Sequence, residues 1–108
     1  MAVDAGYKGN QNIAQVTGTL TRTVTTSSAQ TSALEANTVA VTIWATVDDA
    51  WVAFGANPTA VATDGTGKIA LPPAGVMLTI PAIGGQKIAA ISEATTTGKI
   101  KILQHPYV

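Results

Sequence analysis

An alternating apolar stretch between Thr38 and Thr63 constrains the fold of this chain more than any other feature. Before Asp48 the two sides of the pattern are Val39, Val41, Ile43 and Ala45, against Thr38, Ala40, Thr42, Trp44 and Thr46. A period of two puts successive side chains on opposite faces, so the pattern predicts a half-buried β-strand. A second strand is expected after Asp48-Asp49, and a third at residues 59–63. Because both tryptophans and the only phenylalanine lie in this stretch, we expect it to form the centre of the core.

Shorter alternating segments predict further strands along the rest of the chain. They are residues 16–25, with threonine at every second position, and residues 68–71, 76–80, 86–91 and 99–103. Gly, Pro, Asn and Asp separate them, and residues 32–35 offer at most one helical turn. The expected fold class is all-β, a single small β-sandwich or jelly-roll-like barrel of about seven to nine short strands.

The chain is expected to comprise an N-terminal arm, residues 1–15, and a β-sandwich domain, residues 16–108. The arm is polar and without periodicity, so we expect it to be extended and to become ordered only against a neighbour. Its start has neither the basic region nor the apolar region of a signal peptide. No stretch approaches the roughly 20 apolar residues of a membrane helix. We therefore expect synthesis in the cytoplasm, where the chain stays soluble or assembles, and no membrane partner.

Charged residues are scarce in this sequence. They make up 11% of the chain, with a formal net charge of zero, against about 25% in a typical domain. Near-zero net charge removes the usual protection against self-association, which favours a surface pressed against copies of itself or a partner. Six scattered basic residues in a neutral chain do not indicate nucleic-acid binding.

The residues that could carry chemistry are few. There is no cysteine, and the single histidine, His105, lies near the C-terminus. Asp48 and Asp49 are the only adjacent carboxylates, and we expect them in a turn. A calcium site using Asp48, Asp49 or Asp64 is an open alternative, although the EF-hand ligand series is missing. The sequence thus predicts no catalytic residues, no cofactor, no metal site and no enzymatic activity.

Four residues are candidates for an interface. They are Tyr7 in the arm, Arg22 within the threonine-rich strand, and the two tryptophans, Trp44 and Trp51. Aromatic side chains dominate both cores and subunit interfaces, so the tryptophans are expected in one or the other. A sugar-stacking platform formed by Trp44 or Trp51 is the alternative.

Several segments in a fixed order carry a resemblance to a known class of proteins. They read AWVAFGANPTA at residues 50–60, LPPAG at 71–75, GQKIAAI at 85–91 and KIKIL at 99–103. This order resembles small virion structural proteins of tailed bacteriophages, of the head decoration or cement type. The resemblance covers about residues 38–103. The chain departs from that pattern in an extra proline in LPPAG and in VMLTI, residues 76–80, where the pattern has aromatic residues.

The resemblance implies a protein of the capsid exterior of a virion. Such proteins bind the major capsid protein in many copies, commonly as homotrimers, and brace the shell against the pressure of the packaged DNA. One alternative is a low-copy tail, collar or fibre component of a phage. Another, from a different class, is a carbohydrate-binding β-sandwich module.

Overall fold

The computed structural model describes Val16 and residues 18–62, 68–93 and 97–106. The predicted arm, residues 1–15, which includes Tyr7, lies outside the described residues. The described ranges contain no helix, and so none that could span a membrane. Their eight strands are β1 (Gly18–Val24), β2 (Ala29–Gln30), β3 (Thr38–Ala45), β4 (Ala50–Gly55), β5 (Lys68–Ala70), β6 (Leu78–Pro81), β7 (Lys87–Ser92) and β8 (Gly98–Pro106). The predicted all-β class is confirmed.

The strands form two four-stranded sheets with the topology of a jelly roll. Sheet A has the order β1-β8-β3-β6 and sheet B the order β2-β7-β4-β5, and every pairing is antiparallel. The first strand therefore pairs with the last, the second with the seventh, the third with the sixth and the fourth with the fifth. The eight strands thus follow the pairing of one long antiparallel hairpin. This hairpin is folded over so that β8 also pairs with β3, and β7 also pairs with β4.

Aliphatic side chains fill the space between the two sheets. Ile43, Ile88, Ile100 and Ile102 are each fully buried, as are several valines. The alternation predicted for the Thr38 stretch places Val41, Ile43 and Ala45 inside, although a bulge between Thr38 and Ala40 interrupts it at the start of β3. Burying such a side chain contributes about 1.5–3 kcal/mol. The aliphatic strand faces therefore supply most of the stability of the sandwich.

The prediction of an aromatic centre to this core is wrong. Trp44 and Trp51 are half-buried and do not belong to the core cluster. Phe54 packs against the core but is only partly buried. Trp44 alternates with Ile43 and Ala45, and Trp51 with buried neighbours on β4, so both indoles point away from the other sheet.

Residues 32–35 contain no helical turn, in agreement with the expectation of at most one. Two other local predictions differ from the structure. Residues 59–62 contain no strand. Residues 26–37, where no strand was predicted, contain the two-residue strand β2. The buried Leu34 anchors the rest of that segment, with its backbone N–H donating to Gln86 O at 2.7 Å.

Residues 56–60 are held against the outer face of sheet B instead of forming a strand. Gln30, opposite Ala89 in β7, donates from Nε2 to Asn57 Oδ1 at 2.7 Å and to Pro58 O at 2.8 Å. Ala60 N donates to Ser28 Oγ at 2.9 Å. Since β7 lies between β4 and β2, this segment spans the sheet from one strand to its edge. It explains why Ala89, on the outer face, is fully buried.

A buried glutamine joins the last strand to the β2–β3 connection. Gln104 is 2% exposed and continues the inward face of β8 beyond Ile102. Its Oε1 accepts from Glu35 N at 2.7 Å and from Thr38 Oγ1 at 3.3 Å. A buried amide acceptor with partners at these distances fixes the position of the connection relative to β8.

Replacing a central isoleucine should destabilise the protein far more than replacing an exposed one. We expect Ile43→Ala to lower the free energy of unfolding by about 2–5 kcal/mol, because it leaves a cavity between the sheets. The matched control is Ile83→Ala, since Ile83 is 66% exposed and surface changes stay within about 0.5 kcal/mol. Urea unfolding measures both, and equal losses would contradict the assigned core.

Removing the side-chain amide of Gln104 should lower the free energy of unfolding more than removing the Thr38 hydroxyl, which donates to the same Gln104 oxygen. Gln104→Leu leaves Glu35 N without its 2.7 Å acceptor, so we expect a loss of about 1–3 kcal/mol in unfolding free energy. Thr38→Val removes only the 3.3 Å contact and should cost less. Urea denaturation of the two variants tests the order, and an unchanged midpoint for Gln104→Leu would exclude the role given to this side chain.

Candidate functional site

The two tryptophans lie on opposite sides of the sandwich. Trp44 is on the outer face of sheet A, opposite Lys101 of β8. Trp51 is on the outer face of sheet B, opposite Ala70 and Ile91. A single sugar platform built from both indoles is therefore excluded by the fold. Each half-buried indole is available to a separate surface.

The outer face of sheet A is broad and poor in charge. Its members are the outward-facing residues of four strands: Thr19, Thr21, Thr23, Ala40, Thr42, Trp44, Thr79, Pro81, Lys99, Lys101, Leu103 and His105. The predicted threonine row is exposed at Thr19, Thr21 and Thr23. Lys99 and Lys101 share one strand face, because Ile100 between them is buried on the other. This face presents mainly hydroxyl groups, with one indole and two ammonium groups.

His105 is part of this face but is not a solvated terminal residue. It is 4% exposed, and its Nε2 lies 2.7 Å from Thr42 Oγ1. Thr42 Oγ1 also lies 2.7 Å from Thr79 Oγ1. These three side chains thus connect β8, β3 and β6 across the sheet, and their contacts hold the three strands together.

Asp48 and Asp49 lie in a turn, as predicted. Asp49 has a φ of 58°, a left-handed conformation that aspartate tolerates better than most residues. Asp48 Oδ1 accepts from Ala74 N at 2.9 Å, and Asp49 O accepts from Glu93 N at 3.0 Å. The turn therefore holds the β5–β6 and β7–β8 connections together at one end of the sandwich, and its carboxylates are exposed.

Arg22 lines a cleft at the open margin between the two sheets. The cleft has a volume of about 360 Å³, and Arg22 and Lys87 are the charged residues on its wall. The remaining lining residues are Leu20, Thr21, Gln30, Thr31 and Ser32. Leu20 packs against the core from the same side of β1, so Arg22 extends along the rim where the sandwich opens. We call this feature the β1–β2 cleft.

The described residues offer little support for a metal centre. No group of three or more His, Asp or Glu side chains among them is placed to hold an ion. Asp64, one of the three possible calcium ligands, lies outside the described residues. The expectations that the chain has no catalytic site and no cofactor stay predictions.

No protein-family model matches this sequence, and no curated protein does. Three features define the candidate surfaces: the outer face of sheet A, the acidic turn at Asp48-Asp49, and the β1–β2 cleft.

The Asp48 carboxylate should matter to the turn as a hydrogen-bond acceptor. Asp48→Ala removes the acceptor for Ala74 N, and we expect a loss of about 0.5–1.5 kcal/mol in unfolding free energy. Asp48→Asn keeps an acceptor oxygen and should stay close to the unchanged protein. Urea unfolding gives the energies, and amide exchange at Ala74 should be faster only in the alanine variant. Equal behaviour of the two variants would remove the turn role.

Proposed function

We propose that this chain is a bacteriophage virion structural protein, a decoration protein that binds the outer surface of the head and stabilises the shell. In this proposal its partners are the major capsid protein and further copies of itself, as a homotrimer. It acts through binding alone, without enzymatic activity. Its location is the capsid exterior, and assembly takes place in the host cytoplasm.

The position of the resembling segments within one jelly roll is the observation that carries the proposal. Residues 50–60 form β4 and the segment held on sheet B, residues 85–91 lie in β7 and the turn before it, and residues 99–103 lie within β8. Residues 71–75 form the corner after β5, where Gly75 N donates to Ala45 O at 2.8 Å. Each segment therefore has a definite structural task, and jelly rolls recur in viral capsid domains.

The surface supports a binding role for the same protein. The outer face of sheet A is made mainly of threonine hydroxyls and carries no carboxylate among its described residues. Low charge at the centre of a contact is typical of protein–protein interfaces. Trp44 supplies an aromatic side chain of the type that dominates binding energy at interfaces.

A carbohydrate-binding module shares the jelly-roll fold, because lectin domains also use it. Trp51 is the weaker candidate for sugar stacking, because residues 56–60 cover part of the outer face of sheet B, on which it lies. Trp44 stands beside Thr42 and Lys101 on an open face. A sugar-stacking role would therefore have to be assigned to Trp44.

The number of copies per particle distinguishes these functions. We expect quantitative mass spectrometry of purified virions from the encoding phage to give a ratio to the major capsid protein near one, or a large fixed fraction of it. A tail protein quantified in the same digest serves as the low-copy control. A few copies per particle would assign the chain to the tail, collar or fibres. Complete absence from virions would reject the proposal and favour sugar binding through Trp44.

A further inference from the structure

The wall of the β1–β2 cleft carries two cations and no carboxylate. Arg22 and Lys87 supply the charge, and Ser32 supplies a hydroxyl group, whereas the Thr21 hydroxyl belongs to the outer face of sheet A. Within the described ranges, no hydrogen bond or ion pair engages the side chains of Arg22, Lys87 and Ser32. Guanidinium, ammonium and hydroxyl donors around one opening are the groups that bind carboxylates and other oxyanions. The cleft therefore has the chemistry of an oxyanion site without an internal counter-ion.

The complementary charge lies at one end of the same sandwich. The Asp48-Asp49 turn is exposed there, and Glu93 is tied to it through its backbone N–H at 3.0 Å from Asp49 O. In the described part of the chain, no ion pair engages the Asp49 or Glu93 carboxylate. We call Asp48, Asp49 and Glu93 the acidic end. Basic and acidic residues are equal in number over the whole chain, so its formal net charge is zero.

We propose that the β1–β2 cleft binds the acidic end of a second copy of this chain. The contact rests on the proposed function, in which many copies lie side by side on one shell. Because the two surfaces differ, the contact is heterologous and leaves a free cleft on one copy and a free acidic end on the other. Such a contact closes into a ring, of which a trimer is one case, or continues as a chain.

Charge complementarity makes the second copy a specific occupant. Arg22 can receive a carboxylate with two parallel hydrogen bonds, and Lys87 adds a second charge beside it. Asp49 projects from a turn whose backbone is fixed by the neighbouring connections. A carboxylate on a fixed turn loses little conformational freedom when it enters a cleft. The association should therefore be strongly weakened by salt.

Charge exchange between two variants tests the proposal on the purified chain. The cleft variant is Arg22→Glu with Lys87→Glu. The end variant is Asp49→Asn with Glu93→Lys, in which asparagine tolerates the positive φ of residue 49 and the Asp48 hydrogen bond is kept. We expect each variant alone to self-associate about tenfold more weakly than the unchanged chain, by sedimentation velocity. An equimolar mixture should recover association, because the lysine at position 93 can then meet the acidic cleft.

The control is Lys99→Glu with Lys101→Glu, which makes the same change in charge as the cleft variant but on the outer face of sheet A. We expect it to associate as the unchanged chain does. Circular dichroism and melting curves verify that each variant is folded. The unchanged chain, which needs no substitution, should associate at about 0.02 M salt and dissociate at about 0.5 M.

Four results would overturn the proposal. One is an unchanged chain that stays monomeric at low salt and high concentration. Another is a mixture that associates no better than its components, and the third is a control variant as weak as the cleft variant. The fourth is binding of inorganic phosphate in the cleft without self-association, which would identify the ligand of the cleft as a small anion and not a second copy. No capsid is present in these measurements, so their failure is distinct from a low copy number in virions.

Discussion

The insertion of β8 between β1 and β3 is the pairing on which the rest of the structure depends. β8 is the longest strand described, and it is hydrogen-bonded on both sides along most of its length. It supplies Ile100 and Ile102 to the core and Gln104 to the β2–β3 connection. Since β8 is the last strand described and β1 the first, sheet A is complete only when these two strands, far apart in the sequence, have met. Such non-local pairing is slow to form and makes the sandwich cooperative.

Strands with a clear alternation of apolar and polar residues were predictable from the sequence. A strand too short to show any alternation was not. β3 and β8 alternate over several residues, so their inward faces could be assigned before the fold was known. β2 has two residues, too few to carry any period. Residues 59–62 include Thr59 and Val61, two strand-forming residues. The side chains of Gln30 and Ser28, however, bind the backbone groups of residues 58 and 60. Tertiary contacts thus outweigh local β-propensity there.

The error about the aromatic core has a similar cause. Alternation already placed Trp44 with the threonines, whereas Trp51 is surrounded by apolar residues on both faces of β4. Ala53 on the outer face of β4 is buried because its own chain crosses sheet B, which a local pattern cannot indicate. The order of strands in each sheet was also beyond the sequence, because an alternating pattern defines a face but not a neighbour. The β1–β2 cleft depends on that order and could not be predicted, although Arg22 was singled out.

Besides lining the β1–β2 cleft, Arg22 affects whether another strand can pair with the edge of sheet A. Three edge strands, β2, β5 and β6, are short, and β6 ends at Pro81, so each offers little backbone for uncontrolled pairing. β1 is a longer edge of seven residues. A charged residue on the side of β1 that faces the other sheet hinders an added strand, because a neighbouring strand would desolvate the guanidinium without a partner. The same charge attracts a carboxylate presented on a turn. In the proposed contact, association at this margin is thus directed to side-chain recognition of a charged turn and away from pairing between exposed strands.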